Sequence, residues 1–156
     1  MMRSRTAIAL LAAVLLSLGL GACSERQETP AASSENARIF AATLPDLEGK
    51  PQPLKQWQGK VLVLNFWAAW CPPCRAETPG FIQLQEKYRA KGVVFVGIAL
   101  DQKDKVQAFV DEMGVNYPIL LGESDAIELS RAAGNRLGGL PFTAVVSKDG
   151  AIVSTV

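Results

Sequence analysis

Between Val61 and Ala68 the chain reads VLVLNFWA, a run of aliphatic, β-branched and aromatic side chains interrupted only by Asn65. Eight residues suit a strand, and a strand this apolar has no face to offer to water. The pattern is that of a strand buried on both sides of a sheet with parallel neighbours. The run hands over almost at once to Cys71-Pro72-Pro73-Cys74, and a helical stretch follows to about Lys91, with Phe81, Leu84 and Tyr88 predicted on its apolar face and a kink expected at Pro79. Any fold for this chain must place two cysteines, two residues apart, where a central strand becomes a helix.

The rest of the pattern supplies the elements around that junction. Residues 38–60 hold a short apolar start (Ile39, Phe40) and turn signals at Pro45-Asp46 and Glu48-Gly49, which predict a small β-hairpin. Val93 to Leu100 reads as a second buried strand. Gln102 to Met113 carries Val106, Phe109, Val110 and Met113 at helical spacing and stops at Gly114. Tyr117 to Leu121 is a short strand, and Asp125 to Ala133 a helix with its carboxylate at the favourable end of the dipole. Phe142 to Ser147 and Ala151 to Val156 form a hairpin around Lys148-Asp149-Gly150. Strands alternating with helices, then a hairpin, give one α/β domain, residues 38–156, with a mixed central sheet flanked by helices and an N-terminal β-hairpin extension.

Composition narrows the chemistry. Net charge is +1 with no basic tract, so no nucleic-acid partner is expected. Histidine is absent, which removes the commonest general base and metal ligand and every Cys–His or Ser–His–Asp arrangement. Neither a metal site nor a cofactor is expected. Three cysteines are too few for a disulfide scaffold, and their uneven placement (Cys23 near the start, Cys71 and Cys74 together) suggests two separate tasks.

Two thiols in a Cys-x-x-Cys spacing can close a small ring. A helix N-terminus offers unpaired N–H groups and a partial positive charge, both of which favour the thiolate, the reactive species. Cys71 is therefore expected to be the exposed attacker and Cys74, one turn in, the thiol that resolves the mixed disulfide. Pro72 and Pro73 have no N–H to offer the Cys71 sulfur, while the Cys74 N–H remains. Fewer donors mean a less oxidising couple, hence a reductant; Arg75 pulls the other way. A purely structural disulfide is the alternative, although a ring this small restrains little of the unfolded chain.

The first 37 residues read as address and tether. Arg3 and Arg5 precede an apolar run from Ala7 to Leu20, then Gly21 and Ala22. This is the layout of a secretory signal, residues 1–22, and it is short for a membrane span. Leu20-Gly21-Ala22-Cys23 resembles the lipobox of bacterial lipoproteins. The resemblance implies cleavage before Cys23 and lipid attachment to it, so that the membrane becomes a partner through lipidated Cys23. Loss of Arg3 and Arg5 with the signal takes the net charge from +1 to −1. Residues 23–37 are polar and aperiodic, as in a flexible linker.

Asn65-Phe66-Trp67-Ala68-Ala69-Trp70-Cys71-Pro72-Pro73-Cys74-Arg75-Ala76-Glu77-Thr78-Pro79 resembles the signature of the TlpA/ResA-type thioredoxin-like proteins, membrane-tethered thiol–disulfide oxidoreductases of the bacterial cell envelope. The likeness runs from about Phe40 to the C-terminus and includes Gly138-Gly139-Leu140-Pro141-Phe142-Thr143, which matches the segment holding the family's cis-proline. It implies a thioredoxin-like fold with Pro141 against the redox pair and the Leu140 backbone binding substrate as an added strand. Trp70, flanking the attacker, is expected with Pro72 and Pro73 to form a rim that meets partner proteins, plain core being the alternative for Trp70, while Phe66 and Trp67 are assigned to the core. Asn65 stands where ordinary thioredoxins carry a buried Asp for proton transfer. An amide cannot titrate, and the resemblance puts Glu77 near the pair as the group to take that role with Cys74. The family continues beyond the last strand into a covering helix; here the chain ends at Val156, so that helix is expected to be missing and apolar strand surface exposed.

These readings imply an enzyme, probed through its partners: protein thiols and disulfides of the periplasmic side of the envelope, substrates such as apocytochrome c thiols before haem attachment, and a membrane thiol donor that recharges it. A monomer is expected. A net oxidant of the same fold, a copper(I) chaperone holding metal on two thiolates, and a peroxidase are the competing functions. The last two lack, respectively, a nearby His or Met and a lone peroxidatic cysteine.

Overall fold

The computed structural model describes residues 37–156; the expected signal, lipid-attachment site at Cys23 and linker fall outside them, save Ala37. Residues 37–41 are helical (α1). They lead to a two-stranded antiparallel hairpin, β1 (Thr43–Pro45) and β2 (Pro51–Pro53). Asp46 shapes its turn. One carboxylate oxygen accepts from the Glu48 and Lys50 N–H groups at 3.0 and 2.8 Å, and the other from the Gln52 amide at 2.8 Å. The hairpin predicted from Pro45-Asp46 and Glu48-Gly49 is thus present. An isolated bridge from Asp46 to Leu120 ties it to the main sheet.

That sheet has five strands in the order β5 (Ile119–Leu121), β4 (Val93–Ala99), β3 (Val61–Trp67), β6 (Phe142–Val146) and β7 (Ile152–Thr155). The central strand, β3, runs parallel to β4 and antiparallel to β6. Short β5 adds parallel to β4, and β7 adds antiparallel to β6. Helices α2 (Pro72–Tyr88), α3 (Lys103–Met113) and α4 (Ser124–Ala132) connect them. The mixed α/β architecture is as the pattern requires. Six of seven β3 positions are buried, from Leu62 to Trp67, because both faces of this strand lie under other elements. One core cluster holds Leu62, Leu64 and Phe66 with Ile39, Leu54 and Ile98. The other holds Val63, Trp67, Cys71, Cys74, Phe95 and Phe109. On the outer strand side, Val153 and Val156 are exposed.

Gly97 on β4 is where the sheet admits no side chain. A Cβ there would lie 2.6 Å from Ile119 Cδ1 and 2.9 Å from Trp67 Nε1, so the missing atom lets the Trp67 indole lie over the strand. Trp67 is fixed from the other side by Phe109, with ring centroids 4.4 Å apart.

The α2 face differs from its expected apolar stripe. Phe81 and Tyr88 are partly covered, but Leu84 is exposed, and the buried positions are Cys74, Thr78 and Gln85. The cause is an open edge. β5 pairs with β4 only from Gly97 onward, which leaves the outer backbone groups of Val93 to Phe95 unpaired by any strand. Gln85 takes the strand's place: its Oε1 accepts from the Phe95 N–H at 2.8 Å, and its Nε2 donates, at a longer 3.5 Å, to the Val93 carbonyl. A helix carrying such a plug must turn an amide, not a leucine, to the sheet. The helix also continues through Pro79 as a single element. Gln85→Leu should fill the same volume yet orphan a buried N–H. Chemical denaturation should show a loss of about 1–3 kcal/mol; an unchanged midpoint and slope would mean that the amide is dispensable.

Candidate functional site

The end of β3 is held in place before the cysteines begin. The Leu100 N–H donates to the Trp67 carbonyl at 2.8 Å, the Ala69 N–H to the Asp101 carboxylate at 3.1 Å, and the Cys71 N–H to the Ala68 carbonyl at 3.1 Å. Cys71 then caps α2. Its backbone is extended (φ −91°, ψ 106°), and its Sγ accepts from the Cys74 N–H at 3.3 Å. Pro72 and Pro73 occupy the first helical turn, where a missing N–H costs nothing and a fixed φ is already helical. Cys71 and Cys74 are joined as a disulfide, with Cα atoms 5.3 Å apart. The Leu140–Pro141 peptide is cis, as the matched segment implied.

Exposure corrects one expectation. Cys71 is not the exposed member of the pair: it is 2% exposed and Cys74 1%. Both sulfurs belong to the cluster formed with Trp67, Ala68 and Phe95, against which partly buried Leu140 also packs. The rim, rather than the sulfur, faces solvent. Trp70 is 66% exposed, and Pro72 and Pro73 are exposed beside it. Phe66 and Trp67 are core, as expected. A cavity of about 570 Å³ opens between Trp70, Leu100, Leu140 and the α4 side chains Ile127 and Arg131. Asn135 shapes its floor by donating to Ser130 Oγ and the Gly139 carbonyl, both at 2.9 Å, and so pins the loop before Pro141 onto α4.

Behind the disulfide lies a polar cluster. Asn65, 4% exposed, donates to Glu77 Oε1 at 2.8 Å and to Thr143 Oγ1 at 3.0 Å. Thr78 Oγ1 donates to the Cys74 carbonyl at 2.9 Å. Glu77 is half-buried, and burial pushes its carboxyl above the ordinary Glu value; the Asn65 hydrogen bond offsets part of that rise. The Tyr117 phenol is pushed up to about 12, first by burial and next by the negative charge of Glu77, with a Thr78 hydrogen bond acting in the opposite direction. Thr78, Tyr117 and Thr143 were not singled out from sequence. A signal for Thr143 existed: it is the register partner of Asn65, so two polar residues interrupt two adjacent apolar strands at the same level.

Arg75 does not stand free beside the pair. Its guanidinium pairs with Glu112 of α3 and lies 5.0 Å from the centroid of the Phe109 ring. Its expected pull on the thiolate is thereby partly compensated.

A disulfide that caps a helix at the end of a central strand, with Leu140 of a cis Leu140–Pro141 peptide packed against its cluster, defines a thioredoxin-like protein. Comparison with known proteins agrees. The Redoxin family matches residues 27–155. Thiol-disulfide oxidoreductase ResA of Bacillus thuringiensis (strain Al Hakam) is 36% identical over 112 residues, 71% of this chain and 62% of that protein. The chain thus spans about three fifths of the length of that relative. ResA of Geobacillus thermodenitrificans is 32% identical over 149 residues, covering 95% of this chain and 82% of that one. Among solved structures, a thiol:disulfide interchange protein of the thioredoxin family from Chlorobium tepidum TLS superposes with a TM-score of 0.65 at 32% identity, covering 74% of this chain and 81% of the other. A secreted Mycobacterium tuberculosis disulfide oxidoreductase homologous to E. coli DsbE gives 0.66 at 29%, covering 77% and 84%. The chain belongs to the redoxin family, among its ResA-type thioredoxin-like members.

The raised Glu77 carboxyl has a consequence for stability. The folded state holds this proton more tightly than the unfolded state does. Its contribution is therefore complete below the unfolded value of about 4.5 and is lost as pH rises through the higher folded value. Glu77→Gln keeps an acceptor for Asn65 and removes the charge. In the oxidised protein, the Tm of the variant relative to the parent should rise between about pH 4 and about pH 8. A difference that stays flat or falls over that range would contradict the assignment.

Proposed function

We propose that this chain is a thiol–disulfide oxidoreductase that reduces disulfides in proteins of the bacterial cell envelope, working from a lipid anchor on Cys23. The observation that carries the reading is the Cys71–Cys74 disulfide at the N-terminus of α2, with Leu140 packed against its cluster and exposed Trp70 preceding it in the chain. In the reduced form, Cys71 is the nucleophile: its thiolate attacks a substrate disulfide and forms a mixed disulfide. Cys74 then attacks the Cys71 sulfur, the electron pair leaves with the substrate sulfur, and the enzyme is left as the oxidised ring. Glu77 takes the Cys74 proton before that second attack. Trp70, Pro72 and Pro73 form the rim that meets the substrate, and the extended segment at Leu140 and Pro141 pairs with its backbone. The cavity beside Trp70 and Leu140 gives room for a side chain next to the attacked cysteine. Because the oxidised sulfurs are covered, recharging by a membrane thiol donor also requires that this rim yield to a docked partner.

Two features support a reducing direction. The Cys74 N–H is the one donor to Cys71 Sγ among the described residues, since the intervening positions are prolines. The nearest cation on the helix, Arg75, is paired with Glu112. Weak stabilisation of the thiolate leaves the dithiol a good electron donor. Placement on the periplasmic side of a membrane is supported by the signal-like residues 1–22 and the lipobox-like Cys23. Reduction of apocytochrome c thiols before haem attachment is the finer form of this proposal and rests on the family resemblance.

One experiment addresses both parts. In full-length chain with Cys74→Ala, mixed disulfides should accumulate through Cys71 and fractionate with membranes; adding Cys23→Ser should release the same adducts to the soluble fraction. Adducts that persist in a Cys71→Ala, Cys74→Ala chain, or none at all, would rule out the redox assignment. Soluble adducts with Cys23 intact would rule out the anchor.

A further inference from the structure

The side-chain amide of Asn65 is tied at both of its hydrogens. One goes to Glu77 Oε1 on α2 and the other to Thr143 Oγ1 on β6, two residues past cis-Pro141. The residue is almost fully buried at the centre of the sheet; its bond to Thr143 is buried and its bond to Glu77 part-buried. An amide donates whatever the pH, and a carboxyl oxygen can accept whether the other oxygen is ionised or protonated. Oε1 of Glu77 is therefore engaged as an acceptor in both states, and the proton has one place to go.

We propose that Asn65 is a positioning residue for proton transfer: by holding Glu77 Oε1 and anchoring itself on Thr143, it fixes the carboxyl so that Oε2 alone carries the proton exchanged with Cys74. The proposal rests on the reading of Glu77 as proton carrier. In the step concerned, the Cys74 S–H bond breaks, its proton passes to Glu77 Oε2, and the sulfur keeps the electron pair with which it attacks Cys71 in the mixed disulfide. The bond from Cys71 to the substrate sulfur breaks, and that sulfur leaves with its electrons and takes a proton from solvent. Cys74 and Glu77 lie three apart on α2, a spacing that makes them neighbours on one helix face.

The groups that bear on Glu77 can be named. On its own helix the titratable groups nearest in sequence are Cys74 and Arg75, the last already paired with Glu112. From the segment leading into β5 comes Tyr117, whose phenol stays neutral at ordinary pH. From β3 and β6 come only the neutral Asn65 and Thr143. Asn65 is thus the one described hydrogen-bond donor to the Glu77 side chain, and its removal should be read directly in the Glu77 titration.

The test is a carboxyl-detected NMR titration of Glu77 in the oxidised protein, with no substrate present. Asn65→Ala should move the Glu77 midpoint upward by about one to two pH units, the size of one hydrogen bond to a charged group. Thr143→Val should produce a smaller rise, because Asn65 keeps its partner but loses its anchor. An unmoved midpoint in folded Asn65→Ala would overturn the proposal. Should that variant not fold, the parent protein still decides: both Asn65 side-chain N–H resonances should shift with the Glu77 midpoint, and resonances indifferent to it would overturn the proposal. Because nothing here requires exchange with another protein, failure of the oxidoreductase reading would leave this result standing, and the reverse also holds.

Discussion

Everything at the site depends on how β3 passes into α2. The strand is central and pinned on both sides, parallel to β4 and antiparallel to β6, so its last residues cannot drift. Three hydrogen bonds, two between backbone groups and one from the Ala69 N–H to the Asp101 carboxylate, then carry that rigidity through Trp67, Ala69 and Cys71. The helix starts directly after Cys71, where Pro72 and Pro73 suit its first turn. The Cys71 sulfur becomes the cap, and its ring partner lies one turn in. The position of the disulfide is thus a product of sheet order and helix capping, not of a flexible loop that finds it.

Around that junction the structure separates two kinds of environment. Outward lie Trp70, the two prolines and the cavity beside Leu140. Inward lie Asn65, Glu77, Thr78, Thr143 and Tyr117, a small set of polar groups linked by hydrogen bonds and charge. The half-burial of Glu77 places it between the two, with its charge disfavoured and still partly supported by one amide.

Much of this was legible in the residues. The apolar runs of β3 and β4, the helical spacing of Val106 and Phe109, and the glycine stops at Gly92 and Gly114 were each strong local signals, and each element lies where they put it. Pro141 was readable only through its matched segment, since nothing in a lone X–Pro bond declares its isomer. Leu84 failed because hydrophobic periodicity assumes that a helix shows its apolar side to the sheet. The open edge of β4 demanded an amide instead, and edges are a property of strand lengths elsewhere in the chain. The covering of Cys71 was hidden for a similar reason. Whether a capping residue is exposed depends on Leu140 and Phe95, which are distant in sequence. Tyr117 reaches Glu77 and Thr78 only through tertiary packing, whereas Asn65 with Thr143 left a trace as matching polar breaks in neighbouring strands.

The most direct test of the central claim is the reduction potential of the Cys71–Cys74 couple, set by equilibration against a thiol buffer and read as the fraction of disulfide. A helix cap with one N–H donor and a compensated arginine should give a reducing couple, near about −270 mV. A value near about −120 mV would mean that the dithiol is strongly stabilised, and would contradict the account of how the β3–α2 junction sets this pair's chemistry.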